Sequence, residues 1–130
     1  MKKRNLLFPG ILIIVTLVIQ SNIFMEAPYK IQDDIDIPEN VKSVLDDKCF
    51  GCHNVDARSD KAKDKLLLDK LGDLSKAKLI ATLGKIGEVA SEGAMPPEKF
   101  LEQRPEKKLT EEEQNLLVIW SEGASNDLLK

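Results

Sequence analysis

Cys49-Phe50-Gly51-Cys52-His53 is the stretch on which the interpretation of the whole chain depends. The 130 residues include two cysteines and one histidine, and all three lie within these five positions. A structural disulfide would account for the two cysteines but not for the adjacent histidine. A thioredoxin-like redox motif needs a βαβ context, and no alternating strand pattern surrounds the stretch. A zinc site would need a fourth nitrogen or sulfur ligand, and the chain has no further Cys or His.

The pattern C-x-x-C-H is typical of covalent haem attachment. In such a site two thiols, here Cys49 and Cys52, add to the two vinyl groups of one porphyrin edge. The imidazole of His53 follows the second thioether directly and becomes the proximal ligand of the iron. The sequence therefore predicts one covalent haem c, with Cys49 and Cys52 binding the cofactor and His53 binding the metal.

The distal iron ligand cannot be a second histidine, because the chain has none. Met1 and Met25 lie in or beside an N-terminal apolar segment, which leaves Met95, 42 residues after His53. Two prolines follow Met95 and would keep its loop extended. A thioether ligand favours ferrous iron and raises the reduction potential. The alternatives are a methionine that only fills the core, with five-coordinate iron or a lysine ligand.

The N-terminal 25 residues have the order of a secretory signal. Three basic residues, Lys2 to Arg4, precede a largely apolar run over residues 6–19 and a polar stretch over 20–22. The apolar run is short for a spanning helix, and no A-x-A cleavage pattern is present. We predict a signal peptide or a retained membrane anchor over 1–25, the alternative being a buried core helix. The rest of the chain would be periplasmic or lie on the outer face of the inner membrane, with membrane association through residues 6–25.

The remaining chain divides into a polar linker at 26–37 and a haem-binding domain at 38–130. Helical spacing of apolar residues predicts a first helix from Pro38 that runs into Cys49, with Val41, Val44, Leu45 and Lys48 on one face. Residues 61–71 predict a short helix or turn that ends at Gly72. A longer helix is predicted between an N-cap at Ser75 and Gly93, with its apolar face formed by Leu79, Ile80, Leu83, Ile86, Val89 and Ala90.

Thr110 to Glu113 form a capping-box pattern that predicts the start of the last helix. Its apolar positions are Leu116, Leu117, Ile119, Trp120, Ala124 and Leu128. Gly123 in this helix would permit a close helix crossing. No stretch shows strand alternation, so the predicted fold is an all-α domain of three to four helices around the haem.

The charge of the chain bears on its partners. The formal net charge of the chain is −3. Without Lys2, Lys3 and Arg4, the chain has 16 basic and 22 acidic residues, which gives a net charge of −6. An acidic domain is a poor ligand for nucleic acid, which attracts basic surfaces. It suits a redox partner protein with a basic docking face.

These features together resemble class I cytochrome c, and more closely the bacterial haem-binding domain family of small periplasmic cytochromes. In that family a Lys-rich segment, a helix, a Met-Pro-Pro loop, a Leu-Thr-x-x-Glu helix start and a Trp-bearing last helix follow the C-x-x-C-H. The matching positions, within about 38–127, are residues 49–53, 61–71, 79–90, 95–97, 109–113 and Trp120.

The resemblance implies covalent haem, ligation by His53 and Met95, and electron-carrier or redox-module roles. No acid–base pair or nucleophile pattern is evident in the sequence, so we predict an electron carrier and not an enzyme. Class I cytochromes usually have a proline soon after the histidine, whose carbonyl orients the imidazole. No proline lies between His53 and Met95, so the sequence does not identify the acceptor for His53. Two rival functions stay open: a haem enzyme or gas sensor with an open sixth position, and a non-haem exported interaction module with one disulfide.

Further residues allow two interpretations. The Trp120 indole could pack on the haem or donate to a propionate, but core packing against Val41, Val44 and Leu45 is the favoured interpretation. Arg58, Lys61 and Lys65 could neutralise propionates or simply form a solvated face.

Overall fold

The computed structural model describes residues 35–130, and every regular element in this part of the chain is a helix. The α-helices are α1 (Glu39–Val44), α2 (Asp60–Lys63), α3 (Lys76–Ser91), α4 (Glu98–Leu101) and α5 (Glu111–Leu129). The predicted all-α fold is therefore confirmed. The domain has five α-helices where three to four were predicted, and two of them, α2 and α4, are single turns of four residues.

The predicted signal or anchor over 1–25, and the linker up to residue 34, lie outside the described residues. Within residues 35–130, none of the helices combines the length and the apolar content needed to cross a membrane.

The first helix continues directly into a π-helical segment, Leu45–Phe50, that leads to the C-x-x-C-H stretch. Pro38 is its N-cap, one position before the first helical residue. Val41, Val44 and Leu45 are buried, as their spacing predicts. Single π-turns inside α-helices are frequent at functional positions.

The segment after the C-x-x-C-H consists of short turns. It contains α2 and a 3₁₀-helix over Leu68–Asp73, which is anchored in the core by buried Leu68 and Leu71. Gly72 lies inside this 3₁₀-helix, so the predicted break at Gly72 is wrong: the helix continues for one more residue.

The two long helices, α3 and α5, pack against each other, and α1 also contacts α5. The close approach is at Gly87 of α3, where a Cβ atom would overlap Oγ of Ser121 and lie 3.9 Å from Cα of Val118. Ser121 is only 1% exposed. Gly123, predicted to permit a close crossing, has no atom within 4 Å of a Cβ position, so that prediction is wrong.

One apolar core joins the helices. Trp120 is 7% exposed and packs in this core with Val41, Val44 and Leu45, as the favoured interpretation of Trp120 held. Its Nε1–H donates to the carbonyl of Asp36 at 3.0 Å. Ile35, from the end of the predicted linker, is also buried in this core. The other buried members are Leu68, Leu71, Leu79, Leu83, Ile86, Ala90, Leu109, Leu117 and Leu128.

Both ends of the loop between α3 and α5 are defined by caps. At the end of α3, Gly93 has a φ of 62°, and the amides of Gly93 and Ala94 donate to the carbonyls of Ala90 and Val89. This is the Schellman arrangement, in which glycine avoids the left-handed strain of a residue with a Cβ. At the start of α5, the predicted capping box is present in full: Thr110 Oγ1 accepts from the Glu113 amide, and Glu113 accepts from the Thr110 amide.

Candidate functional site

The C-x-x-C-H stretch forms one helical turn. The amides of Cys52 and His53 both donate to the carbonyl of Cys49, each at 3.1 Å. Residues three apart in such a turn lie on the same side of the helix. The structure therefore presents the Cys49 and Cys52 side chains on one side, with His53 directly after them.

The His53 imidazole is held by main-chain carbonyls. Its Nδ1 lies 3.1 Å from the carbonyl oxygen of Ala62 and 3.1 Å from that of Leu66. Because a carbonyl can only accept, Nδ1 must carry the hydrogen, and in the neutral ring Nε2 then keeps its lone pair. An orienting bond on one ring nitrogen, with the other free to bind a metal, is the arrangement found in metal-ligating histidines.

The two carbonyls are brought to His53 by the turn that contains α2. Ser59 caps this helix by accepting from the Ala62 amide at 3.2 Å, and the Leu66 amide donates to the Ala62 carbonyl at 3.1 Å. The Leu68 amide donates back to the His53 carbonyl at 2.9 Å and closes the loop. This loop provides the acceptors that a proline after the histidine would otherwise provide. These acceptors were not predicted, and the sequence carries no signal for them because every residue has a carbonyl.

The two thiols differ in exposure. Cys49 is half-buried, Cys52 is exposed, and both are free. Burial raises the pKa of the Cys49 thiol to about 11, with smaller contributions from Cys52 and Glu113. Redox-active C-x-x-C motifs depend on a cysteine with a lowered pKa. The environment of Cys49 is therefore the opposite of a thioredoxin-like site.

The described part of the chain does not bring metal-ligating side chains together in a cluster. No group of three or more His, Cys, Asp and Glu residues is placed to bind a metal within residues 35–130. A haem iron needs fewer protein ligands, since the porphyrin contributes four nitrogens and the protein only the axial positions. A single oriented histidine beside two thiols fits that requirement.

Met95 lies in a different loop from the C-x-x-C-H turn. It is half-buried in the loop between α3 and α4, is joined to buried Pro96 by a cis peptide bond, and lies two residues after the glycine cap of α3. No hydrogen bond or ion pair connects the 93–97 loop to residues 49–53 in the described structure. The structure thus brings Cys49, Cys52 and His53 together, and ligation by Met95 stays a prediction.

The structure also bears on whether Trp120 and the three basic residues could contact a haem propionate. The indole N–H of Trp120 is already bonded to the Asp36 carbonyl, so it is not available to a propionate. Arg58, Lys61 and Lys65 follow His53 along the chain, are exposed, and form no ion pair within the described residues. Their cationic groups are therefore available either to solvent or to an acidic ligand.

The environment of Lys48, directly before Cys49, was not predicted either. Its side chain is 9% exposed and its ammonium faces Asp47 and Glu113. A signal was present, because Lys48 shares the apolar helix face with Val41, Val44 and Leu45. A lysine on such a face must bring its charge to a partner.

Comparison with known proteins identifies a family. The sequence pattern of the haem-binding domain matches residues 54–123, which is more than half of the chain. The match begins directly after His53 and includes the Met95 loop, the capping box and Trp120. No curated protein and no solved structure matches the chain. The chain belongs to the haem-binding domain family, and it is a haem-binding protein.

Proposed function

We propose that this protein is an exported monohaem c-type cytochrome that carries single electrons and has no enzyme activity. Its haem would be attached through Cys49 and Cys52 and ligated by His53 and Met95. The observation that carries the proposal is the pair of carbonyls at His53 Nδ1, because they leave Nε2 as a free ligand beside two thiols on the same side of one turn. The N-terminal basic-then-apolar segment supports export, as a signal or an anchor.

The residues of the chain have defined tasks in this function. When bound, the haem iron supplies one-electron chemistry by alternating between the ferrous and ferric states. The carbonyls of Ala62 and Leu66 orient the imidazole and increase its basicity as a ligand. The thioether of Met95 would be the second ligand that the chain provides to the iron, and it would favour the ferrous state. If both His53 and Met95 bind the iron, no ligand position would remain open to a substrate.

A docking surface for a redox partner would lie at the attachment turn. Gly51 and Cys52 are exposed there, and the apolar side chains of Phe50 and Val55 are 39% and 44% exposed. Short distances to a partner's redox group are most readily achieved where the attachment turn itself reaches the surface. The acidic charge of the domain supports a partner with a basic face.

Binding of carbon monoxide to the reduced holoprotein tests this function against a haem enzyme or gas sensor. We expect the ferrous wild-type protein to resist carbon monoxide, because Met95 fills the sixth position. The Met95→Leu variant should bind it readily. Rapid, tight binding by the wild type would contradict the carrier function and favour the enzyme or sensor.

Met95→Leu is chosen because it separates ligation from packing. Leucine has nearly the volume of methionine, so the holoprotein of the variant should keep the helical content of the wild type. A variant that is folded and stable but open to carbon monoxide identifies the sulfur as a ligand. If the variant binds carbon monoxide no better than the wild type does, Met95 is not an iron ligand and only fills the core.

A further inference from the structure

A partly buried ion pair lies next to the proposed point of haem attachment. Lys48, the residue before Cys49, donates from Nζ to the carbonyl of Glu106 at 3.0 Å. The same Nζ lies 3.2 Å from Asp47 Oδ2 and 3.7 Å from Glu113 Oε1. With 9% of its side chain exposed, Lys48 is largely removed from water.

The carboxylate of Glu113 is fixed in place from the other side. Its Oε2 accepts from the Thr110 amide at 2.8 Å as part of the capping box, while Oε1 faces Lys48. The negative charge of Glu113 also contributes to the raised pKa of the Cys49 thiol, which places that charge within electrostatic reach of Cys49. Glu113 therefore cannot turn into solvent without breaking the cap of α5.

A second contact holds the same segments together. Lys107 Nζ lies 2.5 Å from Asp47 Oδ1 and 3.1 Å from the Asp47 carbonyl oxygen. These bonds tie the 3₁₀-helix Pro105–Lys107 to the π-helical segment that carries Cys49. The charges of Lys48 and Glu113 are thus held at constant positions relative to the attachment turn.

Fixed charges with little exposure act more strongly on a redox group than charges in water, because the surrounding dielectric constant is lower. A positive charge disfavours the ferric state and raises the reduction potential, whereas a negative charge lowers it. Given the proposed haem attachment, on which this inference rests, we propose that Lys48 and Glu113 are positioning residues for the reduction potential of the haem. The charge of Lys48 raises this potential, and the charge of Glu113 lowers it.

Potentiometric titration of the holoprotein tests this with Lys48→Gln and Glu113→Gln. Glutamine at 113 keeps the capping box, and glutamine at 48 keeps a hydrogen-bond donor. We expect Lys48→Gln to lower the midpoint potential and Glu113→Gln to raise it. At the wild-type midpoint, each would change the reduced-to-oxidised ratio by about tenfold, or about 59 mV for one electron. The double variant should return close to the wild type.

The matched controls are Asp127→Asn and Lys130→Gln at the far end of α5. These two residues also form an ion pair, at 2.7 Å, but both are largely exposed. Asp127 lies 14 residues beyond Glu113, about 21 Å along the helix. The same changes in charge at these two positions should leave the reduction potential nearly unchanged.

Opposite shifts at positions 48 and 113 that exceed those of the controls would support the proposal. Shifts in the same direction, or no larger than in the controls, would overturn it and leave the pair a purely structural contact. If Lys48→Gln does not fold, Glu113→Gln decides alone, since an unchanged or lowered potential there contradicts the proposal. Absence of covalent haem from the wild type would instead show that the proposed function has failed.

Discussion

At the scale of single residues, the chemistry of His53 depends on main-chain atoms. The motif with Cys49, Cys52 and His53 could be predicted from the sequence because it consists of rare residue types at fixed spacing. The acceptors at Ala62 and Leu66 could not, because they are carbonyl groups brought near His53 by the turns between residues 54 and 68. The same limit applies to Gly87 and Gly123, where only the packed helices show which glycine is in contact.

The crossing of α3 and α5 gives a prediction at one residue. Gly87→Ala should lower the free energy of unfolding by about 1–3 kcal/mol, because the new Cβ overlaps Oγ of Ser121. Gly84→Ala, in the same helix, meets no atom within 4 Å and should raise stability by about 0.5–1 kcal/mol. Denaturant unfolding of both variants provides the comparison.

The double variant Gly87→Ala with Ser121→Ala tests the cause. Removing Oγ of Ser121 removes the overlapping atom, so the second change should recover part of the lost stability. Equal effects of Gly84→Ala and Gly87→Ala, or a strictly additive double variant, would contradict a close crossing at Gly87.

At the scale of elements, the long helices could be predicted with both of their ends, whereas the short turns could be predicted only in part. α3 and α5 have sustained apolar periodicity and local caps, so their own sequence determines where they begin and end. The single turns α2 and α4 have no such period. α2 is tied to the attachment turn by the contact between the Ala62 carbonyl and Nδ1 of His53, which no local period encodes.

The two predicted N-caps differ in the structure, and this leads to a prediction. The Thr110 side chain accepts from the Glu113 amide, whereas Ser75 makes no side-chain capping bond. Thr110→Ala should therefore cost about 1 kcal/mol of stability, and Ser75→Ala less than about 0.5 kcal/mol. Thermal or denaturant unfolding measures both. A larger cost at Ser75 than at Thr110 would show that the caps have been assigned wrongly.

At the scale of the whole molecule, a few contacts join distant parts of the chain. Lys107 bonds Asp47 across 60 residues, and Trp120 bonds the Asp36 carbonyl across 84. The sequence pattern predicts that Trp120 is in the core, but it does not reveal polar pairs between segments. Such pairs depend on how the helices are placed relative to one another, which no local period encodes.

The bond between Asp47 and Lys107 should make stability depend on pH. Lys107, and to a smaller extent Lys48, lower the pKa of Asp47 below its ordinary value of 3.8. The unfolded chain therefore binds the Asp47 proton more tightly than the folded chain does. The contribution of Asp47 to the free energy of unfolding is present above pH 3.8 and is lost as the pH falls through the lowered pKa. The stability difference between the wild type and Asp47→Asn should therefore shrink on acidification.

Denaturant unfolding between about pH 7 and about pH 2 measures this difference. Asp56→Asn is the control, because the Asp56 carboxylate has no ion pair within the described residues and its effect should not follow the same pH course. A difference for Asp47→Asn that stays constant down to the lowest pH would contradict the assigned pairing.

The central claim, that one haem is covalently attached through Cys49 and Cys52, is tested most directly by the mass of the denatured protein. The chain would be produced with a c-type cytochrome maturation system, as the wild type and as the double variant Cys49→Ala with Cys52→Ala. We expect the wild type to carry the additional mass of one haem after denaturation and the double variant to carry none. A wild-type mass equal to that of the bare chain, or reduced only by the two hydrogens of a disulfide, would contradict the account.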